Sequence, residues 1–297
     1  MAQKINPRNI SFVAEVSSNH HQDLDRCLAF IDRAAAIGCA VVKFQLFTIR
    51  ELFAPEVLEQ SEAHRRRERW ELPIAFLPHL AERCRRREIQ FSCTPFYLQA
   101  VQELEPYVDF YKVASYELLW DDLLKACART GKPMVLSTGM ATLDEVVHAT
   151  RLVRDAGCRD LTVLHCVSGY PAAPDECNLS CIETLREQCG CSVGWSDHTV
   201  NPAVIHRAVH RWGATMVEFH LDLDQQGEEY QAGHCWLPEE IAPVIQSLDC
   251  GFGADGHGEK VPTASEMDER QWRADPVDGL RPLQEVREAW RQPASVL

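Results

Sequence analysis

The chain has 297 residues, 45% apolar and 25% charged, a composition that excludes disorder, a collagen-like repeat and a coiled coil. Thirty Lys and Arg against 44 Asp and Glu give a formal charge of -14, which repels a phosphate backbone, so no nucleic acid partner is expected. No apolar run reaches bilayer length and the opening MAQKINPRNISF lacks the apolar centre of a signal peptide, so a cytoplasmic location without a membrane partner is expected.

Short runs rich in Val, Ile and Phe recur along the chain, each closing on polar residues and followed by a helical pattern. They predict strands over 10–16, 40–45, 90–94, 110–115, 134–138, 161–167, 192–195 and 215–220. Helices are predicted over 23–37, 73–87, 97–104, 122–129, 142–156, 178–188, 202–212 and 238–248. Asp121, Thr142, Asn178 and Asn201 stand near helix starts, and Pro202 and Pro238 in first turns. Gly38, Gly131, Gly157, Gly190 and Gly213 each fall between a helix and the next strand, where a left-handed residue ends one element and launches another. Eight βα units with this punctuation predict an α/β fold, a (β/α)8 TIM barrel forming a single domain over 1–264. Residues 265–297 read as a packed or partly irregular tail with a short final helix.

The longest interruption, 46–72, carries Phe47, Phe53 and Trp70 and is placed to cover a barrel mouth. The basic runs Arg65 to Arg67 and Arg85 to Arg87 read as solvated helix faces. Thirteen cysteines, an odd number falling largely in predicted strands and helices, read as small buried apolar residues.

Barrel chemistry sits at the carboxyl ends of the strands. There the chain places Glu15; Lys43 and Gln45; Thr94; Lys112 and Ser115; Ser137 and Thr138; His165 and Ser168; Ser196, Asp197 and His198; and Glu218 and His220. Strand alternation puts Lys43 with Gln45, and Glu218 with His220, on one face, leaving Val42, Phe44, Val217 and Phe219 to meet the helices. A lysine pointing into a barrel is costly unless paired or bound to an anion. Two of them among hydroxyls point to an anionic ligand, the other reading being an internal pair such as Lys43 with Glu15. His198 and His220 end neighbouring strands and can share one divalent cation, Mn²⁺ or Mg²⁺ if the remaining ligands are oxygens.

The segments AEVSSNHHQDLDRCLAFIDRAAAIGCAVVKFQLF, FSCTPF, YKVAS, GKPMVLSTGMATLDEV, LHCVSGYP, GWSDHT and VEFHLDLD, in this order, resemble the N-acetylneuraminate (sialic acid) synthase family from about Phe12 to Lys260. The resemblance implies a (β/α)8 barrel that condenses phosphoenolpyruvate with an open-chain N-acyl hexosamine, giving a nine-carbon 2-keto acid and phosphate. It implies that Lys43, Thr94, Lys112, Ser115, Ser137 and Ser196 hold phosphoenolpyruvate, and Ser168 stands where relatives carry Ser or Asn. By the same resemblance His198 and His220 bind the metal, Glu15 and Glu218 are active-site carboxylates, and Gln45 lies near the reacting carbons. Glu15 is assigned to stabilise the cation-like carbon or to take a proton from attacking water.

Two departures bear on the acceptor. Many relatives carry a carboxyl-terminal antifreeze-like domain that sends an Arg into the partner's sugar pocket, and the residues after the barrel are too few for it. Where typical members have a GPDH segment, this chain reads QQGEEYQAGHCWLPEE, which leaves Glu228, Glu229, Tyr230 and His234 as candidates to grip the sugar. Two other readings stay open: a class I aldolase with Lys43 or Lys112 as Schiff-base nucleophile, and a catalytically silent sugar-binding protein of surface-polysaccharide assembly. Barrels commonly pair through helices or loops, so a homo-oligomer is compatible with the sequence.

Overall fold

The computed structural model describes residues 10–291, so the N-terminal segment read for a signal peptide and the last six residues of the expected tail lie largely or wholly outside the described residues. Eight parallel strands, β1 (Ser11–Glu15), β2 (Val41–Leu46), β3 (Gln90–Pro95), β4 (Phe110–Val113), β5 (Met134–Ser137), β6 (Leu161–Cys166), β7 (Ser192–Asp197) and β8 (Met216–Leu221), pair in chain order. Pairing of β1 with β8, Glu15 beside His220, closes the (β/α)8 barrel. Strand ends differ from the sequence expectation by at most two residues.

The five glycines expected to end helices all have positive φ, from 59° at Gly190 to 114° at Gly157. Thr142 caps the helix Leu143–Asp155 through a reciprocal box with Glu145, and Asn201 accepts the Ala203 N–H at 2.9 Å. Asp121 is instead the first helical residue, its carboxylate 3.0 Å from His148 Nε2, and the helix expected from Asn178 begins at Cys181 behind Ser180. The 202–212 helix is regular only over Pro202–His206 and widens to a π turn at Arg207–Arg211. Segment 46–72 is not a bare loop: it winds through the short helices Ile49–Leu52, Pro55–Gln60 and Glu62–Arg65 and the 3₁₀ turn Arg66–Trp70. A ninth strand of two residues, β9 (Cys235–Trp236), pairs in parallel with the end of β8.

Outside the strands, Val42, Phe44, Val217 and Phe219 pack with the helices into the main core. Inside, Val13, Val41, Phe110, Val135 and Leu164 form a separate apolar plug, with Met216 against it. One strand period further along, the inward residues become Glu15, Lys43, Lys112, Ser137, Cys166 and Glu218. The plug is thus the floor on which a polar layer stands.

On β7 the residue at plug level is Gly194. A Cβ there would run into the Met216 carbonyl oxygen and lie 2.6 Å from Leu164 Cδ2. Gly194→Ala should therefore lower stability by about 3 kcal/mol, read from urea unfolding, because backbone must move to admit one methyl group.

The chain divides into two compact units, Met1–Phe252 and Gly253–Leu297. In the second, Thr263 and Glu266 form a capping box, the helices Met267–Arg270 and Gln284–Arg291 follow, and Asp275 accepts the backbone N–H groups of Val277 and Gln284.

Candidate active site

At the carboxyl end of the barrel a cleft of about 670 Å³ is lined by Glu15, Lys43, Gln45, Lys112, Ser115, Ser137, Ser196, His198, Glu218 and His220. Ten of the twelve residues that the resemblance assigns to the site thus share one cavity wall. The other two lie directly behind it. Thr94 is fully buried and accepts from Lys43 Nζ at 3.4 Å, and Ser168 Oγ is buried beside Gly139.

The two lysines are paired as well as cavity-lining. Lys43 Nζ forms an ion pair with Glu15 and lies 3.7 Å from Glu218 Oε1; Lys112 Nζ lies 3.0 Å from the same oxygen. Burial by itself would lower the Lys43 pKa, yet the charges of Glu15 and Glu218 outweigh it and hold the ammonium above its ordinary value. Burial likewise opposes ionisation of Glu218, and the two lysines reverse that, bringing it down to about 2. Gln45 Nε2 donates to Glu15 Oε1 at 2.6 Å and to Ser17 Oγ at 3.2 Å, so Glu15 is held from two sides.

Several buried polar atoms in this layer have no protein partner: Glu15 Oε2 outside its ion pair, Glu218 Oε2, Ser137 Oγ and Ser168 Oγ. Buried polar atoms are rarely left this way, so such a group marks unfilled capacity for a ligand. Gly139 adds to it. Its N–H donates to Ser115 Oγ at 2.9 Å, and a Cβ on it would collide with Ser168 Oγ and sit 2.9 Å from Ser115 Oγ, so only glycine brings the backbone this close to both hydroxyls.

Beside the lysine layer lies a cluster of imidazoles. The ring centroids of His198 and His220 are 5.3 Å apart, those of His220 and His234 5.2 Å, and the Tyr170 ring lies 4.3 Å from His198 and 5.1 Å from His234. His198 Nδ1 donates to the Val167 carbonyl at 2.8 Å, which fixes the tautomer and leaves Nε2 with its lone pair. Burial pushes the His198 pKa down and pushes that of His234 down to about 4, so both rings are neutral near pH 7. Neutral rings with a free nitrogen are the form that binds a cation, and the residues present fit one.

Glu229 completes the cluster: its carboxylate accepts from Ser17 Oγ, lies 2.7 Å from His220 Nδ1, and is 3.8 Å from His234 Nε2. Of the four candidates on the rewritten segment, Glu229 and His234 reach the cleft, whereas Glu228 pairs with Arg69 outside it and Tyr230 is not part of its lining. The segment is clamped. Arg26 binds the Asn19 carbonyl at 2.6 Å, Asp222 at 3.0 Å and Asp224 at 2.7 Å, and Asp222 accepts the Gly227 N–H at 3.1 Å. A Cβ on Gly227 would overlap Asn19 Oδ1, so glycine is needed where the segment crosses the turn after β1.

Three strand-end residues turn away from the cleft. His165 spends a ring nitrogen on the Cys177 carbonyl at 2.8 Å, and Cys166 takes the inward position on β6. Asp197 ties Trp195 Nε1 and Trp236 Nε1, both at 3.1 Å. Thr138 bonds back to the Leu164 carbonyl. The sequence did not single out Ser17, Glu117 or Tyr170, which lack a strand period to place them, nor Arg67. Arg67 leaves the solvated run expected for it and lies 5.5 Å from the Phe53 ring and 5.1 Å from that of Trp70, so segment 46–72 does form part of the mouth.

Glu117 is buried in the cleft wall with Oε2 unpartnered, and burial raises its pKa to about 7 despite the nearby Lys112. In the unfolded chain this carboxyl ionises near 4.5. Its contribution to stability is therefore greatest below that value and is lost as pH rises through 7. Glu117→Gln should remove the loss: its stability relative to the parent, from urea melts at pH 5 and pH 8, should improve by about 2–3 kcal/mol between the two.

Comparison with known proteins follows the same lines. The family model described as the NeuB family matches residues 30–260. An uncharacterized protein of Methanocaldococcus jannaschii is 32% identical over 259 residues, 86% of this chain and 75% of that one. The pseudaminic acid synthase of Helicobacter pylori is 32% identical over 224 residues, 72% of this chain and 66% of that enzyme, so the chain spans just under two thirds of its length. A crystal structure of the N-acetylneuraminic acid (sialic acid) synthetase of Leptospira borgpetersenii superposes with a TM-score of 0.78 at 29% identity, covering 97% of this chain and 94% of that one.

Proposed function

The chain belongs to the NeuB family, and from that premise we propose that it joins phosphoenolpyruvate to an open-chain N-acyl hexosamine, giving a sialic-acid-like 2-keto sugar acid and phosphate. The observation that carries the reading is the polar layer: Lys43 and Lys112, buried above an apolar plug, share the cleft wall with Ser137 Oγ and Glu218 Oε2, which have no protein partner.

In this reading Lys43, Lys112, Thr94, Ser115, Ser137, Ser168 and Ser196 take the phosphate and carboxylate of phosphoenolpyruvate, whose charges draw the lysines from their glutamates. A carboxylate facing the enol ester stabilises positive charge developing at the carbon that bore the phosphate, and that part is assigned to Glu15, which Gln45 and Lys43 hold in the cleft wall. Glu15 is then the group that takes the proton from the water captured there, while Gln45 orients it. Glu218 is the carboxylate that both lysines share. A divalent ion held by histidine nitrogens of the cluster would supply Lewis acidity at the acceptor aldehyde; the resemblance implies Mn²⁺ or Mg²⁺ on His198 and His220. The aromatic mouth of Phe47, Phe53, Trp70 and Phe96 offers apolar faces to the sugar, with Glu229 and His234 of the rewritten segment in the same cleft.

A Schiff-base aldolase needs a neutral amine, and Lys43 is held charged by Glu15 and Glu218, which argues against that use of it. The test is phosphate release from phosphoenolpyruvate over a panel of N-acyl hexosamines, with and without Mn²⁺, with borohydride trapping on pyruvate in parallel. Acceptor-dependent release supports the synthase; a trapped adduct without release supports the aldolase; neither, with sugar binding retained, supports the silent protein.

A further inference from the structure

The resemblance and the sequence pattern point to the pair His198 and His220 for a cation, but the donor atoms that lie closest together form a different group. One donor atom each from His220, Glu229, His234 and Cys235 falls within 4.8 Å of all the others, and His198 is not in that group. Glu229 Oε2 is central, 2.7 Å from His220 Nδ1, 3.8 Å from His234 Nε2 and 3.7 Å from Cys235 Sγ. Ligands at about 2.0–2.3 Å from one tetrahedral ion stand between 3 and 4 Å from each other, so closing around an ion asks for small movements only.

Two further observations point the same way. His234 is only 6% exposed, yet its Nδ1 has no partner. Cys235 is brought beside His220 by the pairing of β9 with β8, and its Sγ receives the Asn19 side-chain N–H at 3.5 Å, so an outer hydrogen bond orients the sulfur. Imidazole and thiolate donors suit borderline ions, whereas Mg²⁺ and Mn²⁺ prefer oxygen.

We propose that His220, Glu229, His234 and Cys235 form a four-donor cation site that selects Zn²⁺ or Co²⁺ over Mn²⁺ and Mg²⁺. The donors other than His220 come from the segment 229–235, so the ion also pins that segment to the barrel rim. The use of the ion in catalysis rests on the synthase reading, but its binding does not. Both the site and its test are independent of substrate.

The protein is stripped with a chelator and titrated with Co²⁺ and, by competition with a chromophoric chelator, with Zn²⁺ and Mn²⁺, without phosphoenolpyruvate or sugar. Expected are a sulfur-to-cobalt charge-transfer band in the near ultraviolet and Zn²⁺ binding about 100-fold tighter than Mn²⁺. Cys235→Ser should abolish the band, and His234→Asn should weaken Zn²⁺ by at least about tenfold, while His198→Asn leaves the band in place. Absence of the band in the unmodified protein, or Mn²⁺ bound as tightly as Zn²⁺, overturns the proposal without recourse to any variant. So does a Zn²⁺ affinity unchanged in both His234→Asn and Cys235→Ser. Failure of phosphate release alongside a cobalt band sinks the synthase reading and keeps the site; the converse keeps the synthase and sinks the site.

Discussion

Lys43→Met should destabilise the fold by about 3–5 kcal/mol, measured by urea unfolding at pH 7, although it exchanges a charged side chain for an apolar one of similar length. Lys43 is 2% exposed and Glu15 1%, and the ammonium is the only cation paired with Glu15 among the described residues. The substitution leaves that carboxylate buried with Gln45 Nε2 as its remaining donor, and it removes one of the two cations beside Glu218. A buried charge without its partner costs far more than the pair contributes, so the loss comes from the glutamate left behind. The double variant Lys43→Met with Glu15→Gln should therefore recover most of the loss, a coupling of about 2 kcal/mol or more by double-mutant cycle. Additive single effects would mean that the pair is solvated in solution.

Glu15→Gln alone should fold, because Glu218 remains beside Lys43, and should retain metal binding, since Glu15 lies outside the four-donor group. Turnover should fall by about 10²–10⁴-fold with little change in the KM for phosphoenolpyruvate. The amide can still accept from Gln45 or meet the substrate, but it neither balances positive charge nor takes a proton. Near-normal turnover removes Glu15 from the mechanism and shifts the role to Glu218.

The barrel was legible because its two signals are local. Alternation along each strand and a glycine at the end of most helices depend on neighbours in sequence, and they placed the inward Lys43, Lys112 and Glu218 within a residue or two. At β6 polarity drew attention rather than phase: His165 occupies the outward phase and Cys166 the inward one, and a polar residue at a strand end stands out whichever way it points. Glu229 and His234 could be named as candidates but not chosen from Glu228 and Tyr230, because the segment after β8 has neither a helical nor a strand period. Its course is set by Arg26, more than 190 residues earlier in sequence, holding Asp222 and Asp224. The short β9 was invisible for the same reason: two residues carry no pattern, and Cys235 and Trp236 become a strand only by pairing with β8. Arg67 sat in a basic run that composition assigns to solvent, and its turn towards Phe53 and Trp70 follows from the winding of segment 46–72.

The apolar plug has a kinetic corollary. Val13, Val41, Phe110, Val135 and Leu164 block one end of the barrel, so every molecule enters and leaves by the same door. If the enol phosphate sits against the lysines and the sugar against the aromatic mouth nearer the entrance, the second arrival corks the first. Addition is then compulsory in sequence, and a non-reacting sugar analogue inhibits uncompetitively against phosphoenolpyruvate.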